Sequence, residues 1–182
     1  MIYVFLADGF EELEALAPVD VLRRAGIEVK TVGVTGKTVN GAHGIPVVCD
    51  ITVAEAATDN LDGIILPGGM PGTVNLEKDE TLQSFIDYAA ANNKIIGAIC
   101  AAPSILGHKG LLKGKNAVCF SSFEKELEGA KIQNCPAVCD GNIVTAWGAG
   151  AALDFALLYL QAITDNAQSA KEMAKNMRYL AF

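Results

Sequence analysis

The chain has 182 residues, a length that suits one domain, so residues 1–182 are expected to form a single unit. Hydrophobic residues make up 51% of it and charged residues 19%, which excludes general disorder. With 14 basic against 21 acidic side chains the net charge is −7, a balance that repels phosphate backbones and disfavours a nucleic-acid partner.

In chain order, a buried strand near Ile2–Leu6 leads to a helix over Glu11–Ala25. Pro18 should kink that helix or end its first turn, and Gly26 is placed to cap it. A strand is predicted near Glu28–Val34. Asn40 followed by Gly41 to Gly44 reads as a hairpin turn between short strands. A strand near Gly63–Leu66, a helix over Asp79–Asn92 and a strand near Ile95–Ile99 come next. A helix over Ala101–Leu106, strands near Ala117–Phe120 and Ile143–Trp147, and helices over Gly150–Ile163 and Ala167–Met177 complete the pattern. Several strands are apolar on both faces, as buried parallel strands are. The alternation points to an α/β sandwich with a mostly parallel sheet.

The opening apolar run, Met1 to Leu6, is too short for a signal peptide, and no stretch approaches the ~20 apolar residues of a membrane span. No membrane partner is expected. Cysteines at 49, 100, 119, 135 and 139 are odd in number, which with no export signal points to free thiols in a reducing cytoplasm. Cys135-Pro136-Ala137-Val138-Cys139 lacks the paired spacing and the histidine of a zinc site, so no metal is expected there.

Three strand-to-loop junctions stand out: Leu66-Pro67-Gly68-Gly69-Met70-Pro71-Gly72, Ile99-Cys100-Ala101-Ala102-Pro103 and Trp147-Gly148-Ala149-Gly150. Ligands of such sheets bind outside the carboxyl ends of the strands. The second junction has the layout of a nucleophile elbow, with Ala98 and Ala102 where G-x-S-x-G has glycine. A thiol at a helix N-terminus feels the positive end of the helix, which favours the thiolate. Cys100 reads equally as a small buried core residue from this pattern alone.

Glu11-Glu12-Leu13-Glu14, the Pro18-to-Gly26 segment, Leu66-Pro67-Gly68-Gly69, Ile99-Cys100-Ala101-Ala102-Pro103 and Gly148-Ala149-Gly150 together resemble the ThiJ/PfpI family, in order and over nearly the whole chain. The resemblance implies a flavodoxin-like three-layer sandwich with helices on both faces, similar in fold to class I glutamine amidotransferases, and is strongest to the family's deglycase/glyoxalase branch. It places Cys100 on the reactive cysteine, Glu14 on the acid that hydrogen-bonds it, and Gly69 and Ala101 on the backbone N–H pair of an oxyanion hole. Gly68, Phe120, Trp147 and Gly148 are the expected pocket lining. A glutamic acid buried beside a thiolate should have a raised pKa. Glu11 and Glu12 need no such role, since acids in a first turn suit the helix dipole.

The chain departs from the family in two places. Many members carry a histidine twenty residues past the cysteine, where Phe120 stands here. His108 should lie ~12 Å along the helix axis from Cys100, and His43 could reach the site only by an unusual fold of its hairpin. Amide hydrolysis is therefore disfavoured. Trp147 stands where some relatives have an arginine, which argues against selection for anionic substrates. What the resemblance implies is cysteine chemistry on small reactive carbonyls, with no metal or organic cofactor. The alternative is a redox sensor or stress chaperone that oxidises the same cysteine. A homodimer through the first helix, with Asp20 and Arg24 pairing across the two-fold, is the expected assembly.

Overall fold

The computed structural model describes residues 1–180. The elements in chain order are β1 (Ile2–Leu6), α1 (Glu12–Arg24), β2 (Val29–Gly33), β3 (Thr38–Asn40), β4 (Pro46–Val48), β5 (Ile51–Thr52), β6 (Gly63–Leu66), α2 (Gly72–Lys78) and α3 (Glu80–Ala91). After these come β7 (Ile95–Ile99), α4 (Pro103–His108), β8 (Asn116–Ala117), β9 (Lys131–Ile132), β10 (Ala137–Asp140), β11 (Ile143–Ala146), α5 (Ala152–Thr164) and α6 (Ala167–Asn176). Seven strands form the central sheet in the order β10-β11-β7-β6-β1-β2-β5. Every pair in it is parallel except β10 with β11.

The period-2 rule divides each strand between two cores. Ile2, Val4 and Leu6 of β1 join a buried cluster with Val21 and Leu22 of α1, Phe155 and Leu160 of α5 and Ala170 of α6. Tyr3 and Phe5 point the other way, to Leu76 of α2, Phe85 and Ile86 of α3 and Ile105 of α4. The result is the α/β sandwich with a mostly parallel sheet that the alternation implied, in the three-layer flavodoxin-like form that the family resemblance implied. No described helix is long and apolar enough to cross a membrane.

Pro18 does not end α1, which continues through it to Arg24. Past the helix, Gly26 adopts φ +74°, and the N–H groups of Gly26 and Ile27 return to the carbonyls of Arg23 and Leu22 at 3.0 Å each. This is a Schellman closure of the kind glycine permits. The hairpin of β3 and β4 forms as expected.

The strand predicted over Ala117–Phe120 is corrected. Only Asn116–Ala117 is strand, and it pairs with Lys131–Ile132 in a separate two-stranded sheet. Val118 donates its N–H to Thr145 Oγ1 at 3.0 Å and Phe120 donates to the Cys100 carbonyl at 2.8 Å. With these donors spent on a side chain and on the elbow, no ladder can continue. The helix α2 carries no helical signal at its start, because its opening Gly72 continues the glycine- and proline-rich run from Pro67 to Pro71.

The sheet register places the predicted junctions together. Leu66 lies opposite Ala98, and Ala146 opposite Ile99, so β6, β7 and β11 deliver their carboxyl ends side by side.

Candidate functional site

Cys100 follows β7 with φ +66°, a left-handed backbone that a non-glycine residue rarely adopts. The elbow is held from both sides. Cys100 donates its N–H to the Ala146 carbonyl at 2.9 Å, and its own carbonyl accepts from Phe120. The backbone thus turns sharply enough to present the side chain at the carboxyl end of the sheet, half-buried against the core shared with α1 and α5.

Glu14 comes from the first turns of α1 and is 1% exposed. The loop ahead of it is pinned where Glu11 N–H meets the Gly68 carbonyl at 2.9 Å. Glu14 Oε2 in turn accepts the Gly68 N–H at 2.9 Å. Gly68 is the point of close approach: a Cβ there would lie 2.6 Å from Cys100 Cβ and 2.8 Å from Glu14 Oε2. Only glycine leaves room for the thiol and the carboxyl to meet.

Glu14 Oε1 is buried without a partner of hydrogen-bonding geometry, though the carboxyl lies close enough to the thiol for each to move the other's titration. Burial raises the Glu14 carboxyl to about 7. Burial, then the Glu14 charge and its hydrogen bond, push the Cys100 thiol up to about 12. The N–H groups of Gly69 and Ala101 face the sulfur and pull in the opposite direction.

The expected thiolate-favouring helix terminus is therefore corrected. The helix α4 begins only at Pro103 and spans six residues, and burial beside a carboxylate outweighs it. Between about 7 and about 12 the pair holds one proton and one negative charge. With that proton on Glu14, Cys100 is a thiolate facing two amide donors. With it on sulfur, Glu14 is a base.

Beside the pair lies a cavity of about 520 Å³. Phe120, Trp147 and Gly148 line it, and Gly68 does not. Gly68 instead sits between Cys100 and Glu14, because β6 reaches the sheet edge beneath the elbow. Gly148 joins the two regions: a Cβ on it would lie 3.3 Å from the Phe120 ring and 3.9 Å from Glu14 Oε1. The wall contributed by Ile132, Gln133 and Asn134 had no signal in the sequence, since those residues approach through the small β8–β9 sheet, and Glu124 reaches the cavity from a separate 3₁₀ turn.

Neither histidine reaches the thiol in a hydrogen bond. His108 closes α4 between Glu77, at 2.5 Å, and Glu126, at 2.9 Å. The β3–β4 hairpin does fold against α1, and there His43 Nδ1 meets Glu12 Oε2 at 2.8 Å. Glu11, Glu12 and His43 bring possible metal-ligating atoms within 4.8 Å of one another, the one such cluster among the described residues. His43 and Glu12 are already joined by two hydrogen bonds, and Glu11 stands 3.5 Å from the same ring nitrogen. Asp20 and Arg24 pair within α1 at 2.7 Å, and both side chains remain more than half exposed. All five cysteines are free thiols.

The DJ-1/PfpI family model matches residues 1–162. Drosophila melanogaster protein dj-1beta is 32% identical over 177 residues, covering 96% of this chain and 94% of that protein. Arabidopsis thaliana DJ-1 homolog B is 36% identical over 163 residues, covering 88% of this chain but 37% of that longer protein. Among solved structures, oxidized Toxoplasma gondii DJ-1 superposes with a TM-score of 0.92 at 32% identity, covering 98% of both chains. A cysteine-to-alanine mutant of a Salmonella typhimurium DJ-1 superfamily protein gives 0.92 at 34%, covering 98% of this chain and 97% of the other.

Proposed function

The chain belongs to the DJ-1/PfpI family, and from that premise we propose that it is a cofactor-independent enzyme acting on small reactive carbonyls through Cys100. The observation that carries this reading is the buried Cys100–Glu14 pair, sharing one proton above about 7 beside the amides of Gly69 and Ala101. The thiolate sulfur adds to the aldehyde carbon of a 2-oxoaldehyde, and the carbonyl electrons become an alkoxide held by those two N–H groups. Protonation from Glu14 gives the hemithioacetal. Glu14, now a carboxylate, takes the C1 proton to leave an enediolate; that proton returns to C2 while the C1 hydroxyl proton passes to the C2 oxygen, and a thioester is left on Cys100. Water hydrolyses the thioester, releasing a 2-hydroxy acid and the thiol. C1 is oxidised, C2 is reduced and one water is consumed, so no external oxidant enters.

Lactate formed from methylglyoxal in D₂O tests this route. Glu14 exchanges its proton with solvent, so deuterium is expected at C2 by NMR. Protium retained at C2 would point to direct hydride transfer and contradict the shuttle.

The same geometry supports a second reading, oxidation of Cys100 as a signal. Glu14 Oε1 is partnerless where a protonated carboxyl could donate to a sulfinate oxygen, and the Toxoplasma relative was solved in an oxidized form.

For assembly we propose a homodimer through α1. Leu13 is 61% and Leu16 is 37% exposed, three residues apart on one helix face. Light scattering at micromolar concentration is expected to give twice the 19.1 kDa chain mass, and Leu13→Glu is expected to return it to the single-chain value.

A further inference from the structure

We infer that the Phe120–Trp147 cavity selects uncharged aromatic 2-oxoaldehydes, the arylglyoxals, and turns away carbonyl compounds that carry a carboxylate. This rests on the carbonyl reading of Cys100 and names the substrate class for that site.

Size comes first. At about 520 Å³ the cavity falls within the ~300–1,000 Å³ of sites that take drug-sized ligands. A three-carbon dicarbonyl fills a small fraction of it. Its surface is aromatic where a substrate body would rest: the Phe120 ring is 49% exposed and Trp147 39%. Ile132 and Val118 extend that apolar wall. An aryl ring placed between them would bury surface and gain offset or edge-to-face contacts, which a methyl group cannot.

Charge comes second. No lysine, arginine or histidine lines the cavity among the described residues, and its one carboxylate is Glu124. Ser122 N–H donates to Glu124 Oε2 at 2.9 Å, which holds that negative charge in place. A second carboxylate, on a substrate, would enter without a counter-ion and against a chain of net charge −7. Gln133 spends its amide N–H groups on Asn116 Oδ1 and the Lys131 carbonyl, and the neutral donor of Asn134 can serve a carbonyl oxygen but cannot balance a full charge.

Direction comes third. Gly148 stands between the Phe120 ring and Glu14 Oε1. A ligand with its ring on Phe120 and Trp147 passes its dicarbonyl over Gly148 toward Glu14 and Cys100. The buried oxygen that lacks a protein partner lies at that end of the path.

The chemistry is that proposed for methylglyoxal with an aryl group at C2. Sulfur bonds to C1, the C1 proton returns to C2 through Glu14, and water cleaves the thioester. Phenylglyoxal would leave as mandelate.

Phenylglyoxal, methylglyoxal and benzoylformate separate the effects, since the first two differ by the ring and the first and third by the carboxylate. Trp147 is the chain's single tryptophan, so its fluorescence reports occupancy independently of turnover. Wild type is expected to show a kcat/KM for phenylglyoxal at least about tenfold above that for methylglyoxal. Trp147→Arg is expected to collapse that ratio. In Cys100→Ser, phenylglyoxal should quench the tryptophan at about tenfold lower concentration than benzoylformate, and Phe120→Ala in that background should weaken the quenching. If methylglyoxal is turned over but phenylglyoxal is no better and quenches no more readily than benzoylformate, the selectivity is overturned and the carbonyl reading stands. Preferential quenching by phenylglyoxal without turnover of any carbonyl upholds the selectivity of the cavity and overturns the carbonyl reading. Absence of both overturns both.

Discussion

Glu14→Gln is expected to lower methylglyoxal turnover by about 10²–10⁴-fold, the loss that follows removal of a positioned general acid and base. The substitution keeps the shape of the side chain. Its amide oxygen can still accept the Gly68 N–H now held at 2.9 Å, and its amide nitrogen can donate where Oε1 has no partner. What it cannot do is exchange a proton. The same substitution removes the negative charge and hydrogen bond that, after burial, hold the Cys100 thiol up. Alkylation of Cys100 by iodoacetamide at pH 8 should therefore quicken while turnover slows. That divergence separates a proton shuttle from a group that only tunes the thiol. A tuning group would move both rates in the same direction, and turnover unchanged in Glu14→Gln would remove the residue from the chemistry.

The second large effect is on stability. Glu14 titrates at about 7 in the folded chain against 4.5 for a free glutamate, because burial disfavours its charge. The folded state holds the proton longer than the unfolded state does. The stability this group contributes is thus complete below 4.5 and is lost as pH rises through about 7. At ~1.36 kcal/mol per pKa unit the total loss is about 3 kcal/mol. Urea unfolding of wild type is expected to show a lower midpoint at pH 8 than at pH 5, with much of that difference absent in Glu14→Gln. Equal pH dependence in the two proteins would mean that Glu14 is not buried as a neutral acid. The cost fits a functional site, since a chain selected for stability alone would place an apolar residue there.

Much of the site could be read from the sequence because its parts are local. The elbow needs a buried strand, small neighbours at Ala98 and Ala102 and a proline opening the next helix, and all of these lie within a few positions of Cys100. Gly68 and Gly148 mark strand ends, and the parallel register then brings them together. The small β8–β9 sheet was not legible, because two-residue strands carry no periodicity and Val118 finds its acceptor in a side chain 27 positions away. The cavity wall at Ile132 and Gln133 depends on that sheet. The rise in the thiol's pKa is hidden from the sequence for a related reason. A helix terminus is visible in sequence, whereas the burial that outweighs it arises only when α1 closes over the elbow. The same closure makes Glu14 the acid of the pair and leaves Glu11 and Glu12 to the hairpin at His43.

Cysteine-dependent carbonyl chemistry is tested most directly by incubating wild type and Cys100→Ser with methylglyoxal and following lactate. Serine keeps the size of the side chain and a hydroxyl in place of the thiol, but its oxygen is a far weaker nucleophile at neutral pH. Lactate is expected to accumulate catalytically with wild type and at the buffer rate with Cys100→Ser. Wild type at the buffer rate, or Cys100→Ser at the wild-type rate, would contradict the assignment.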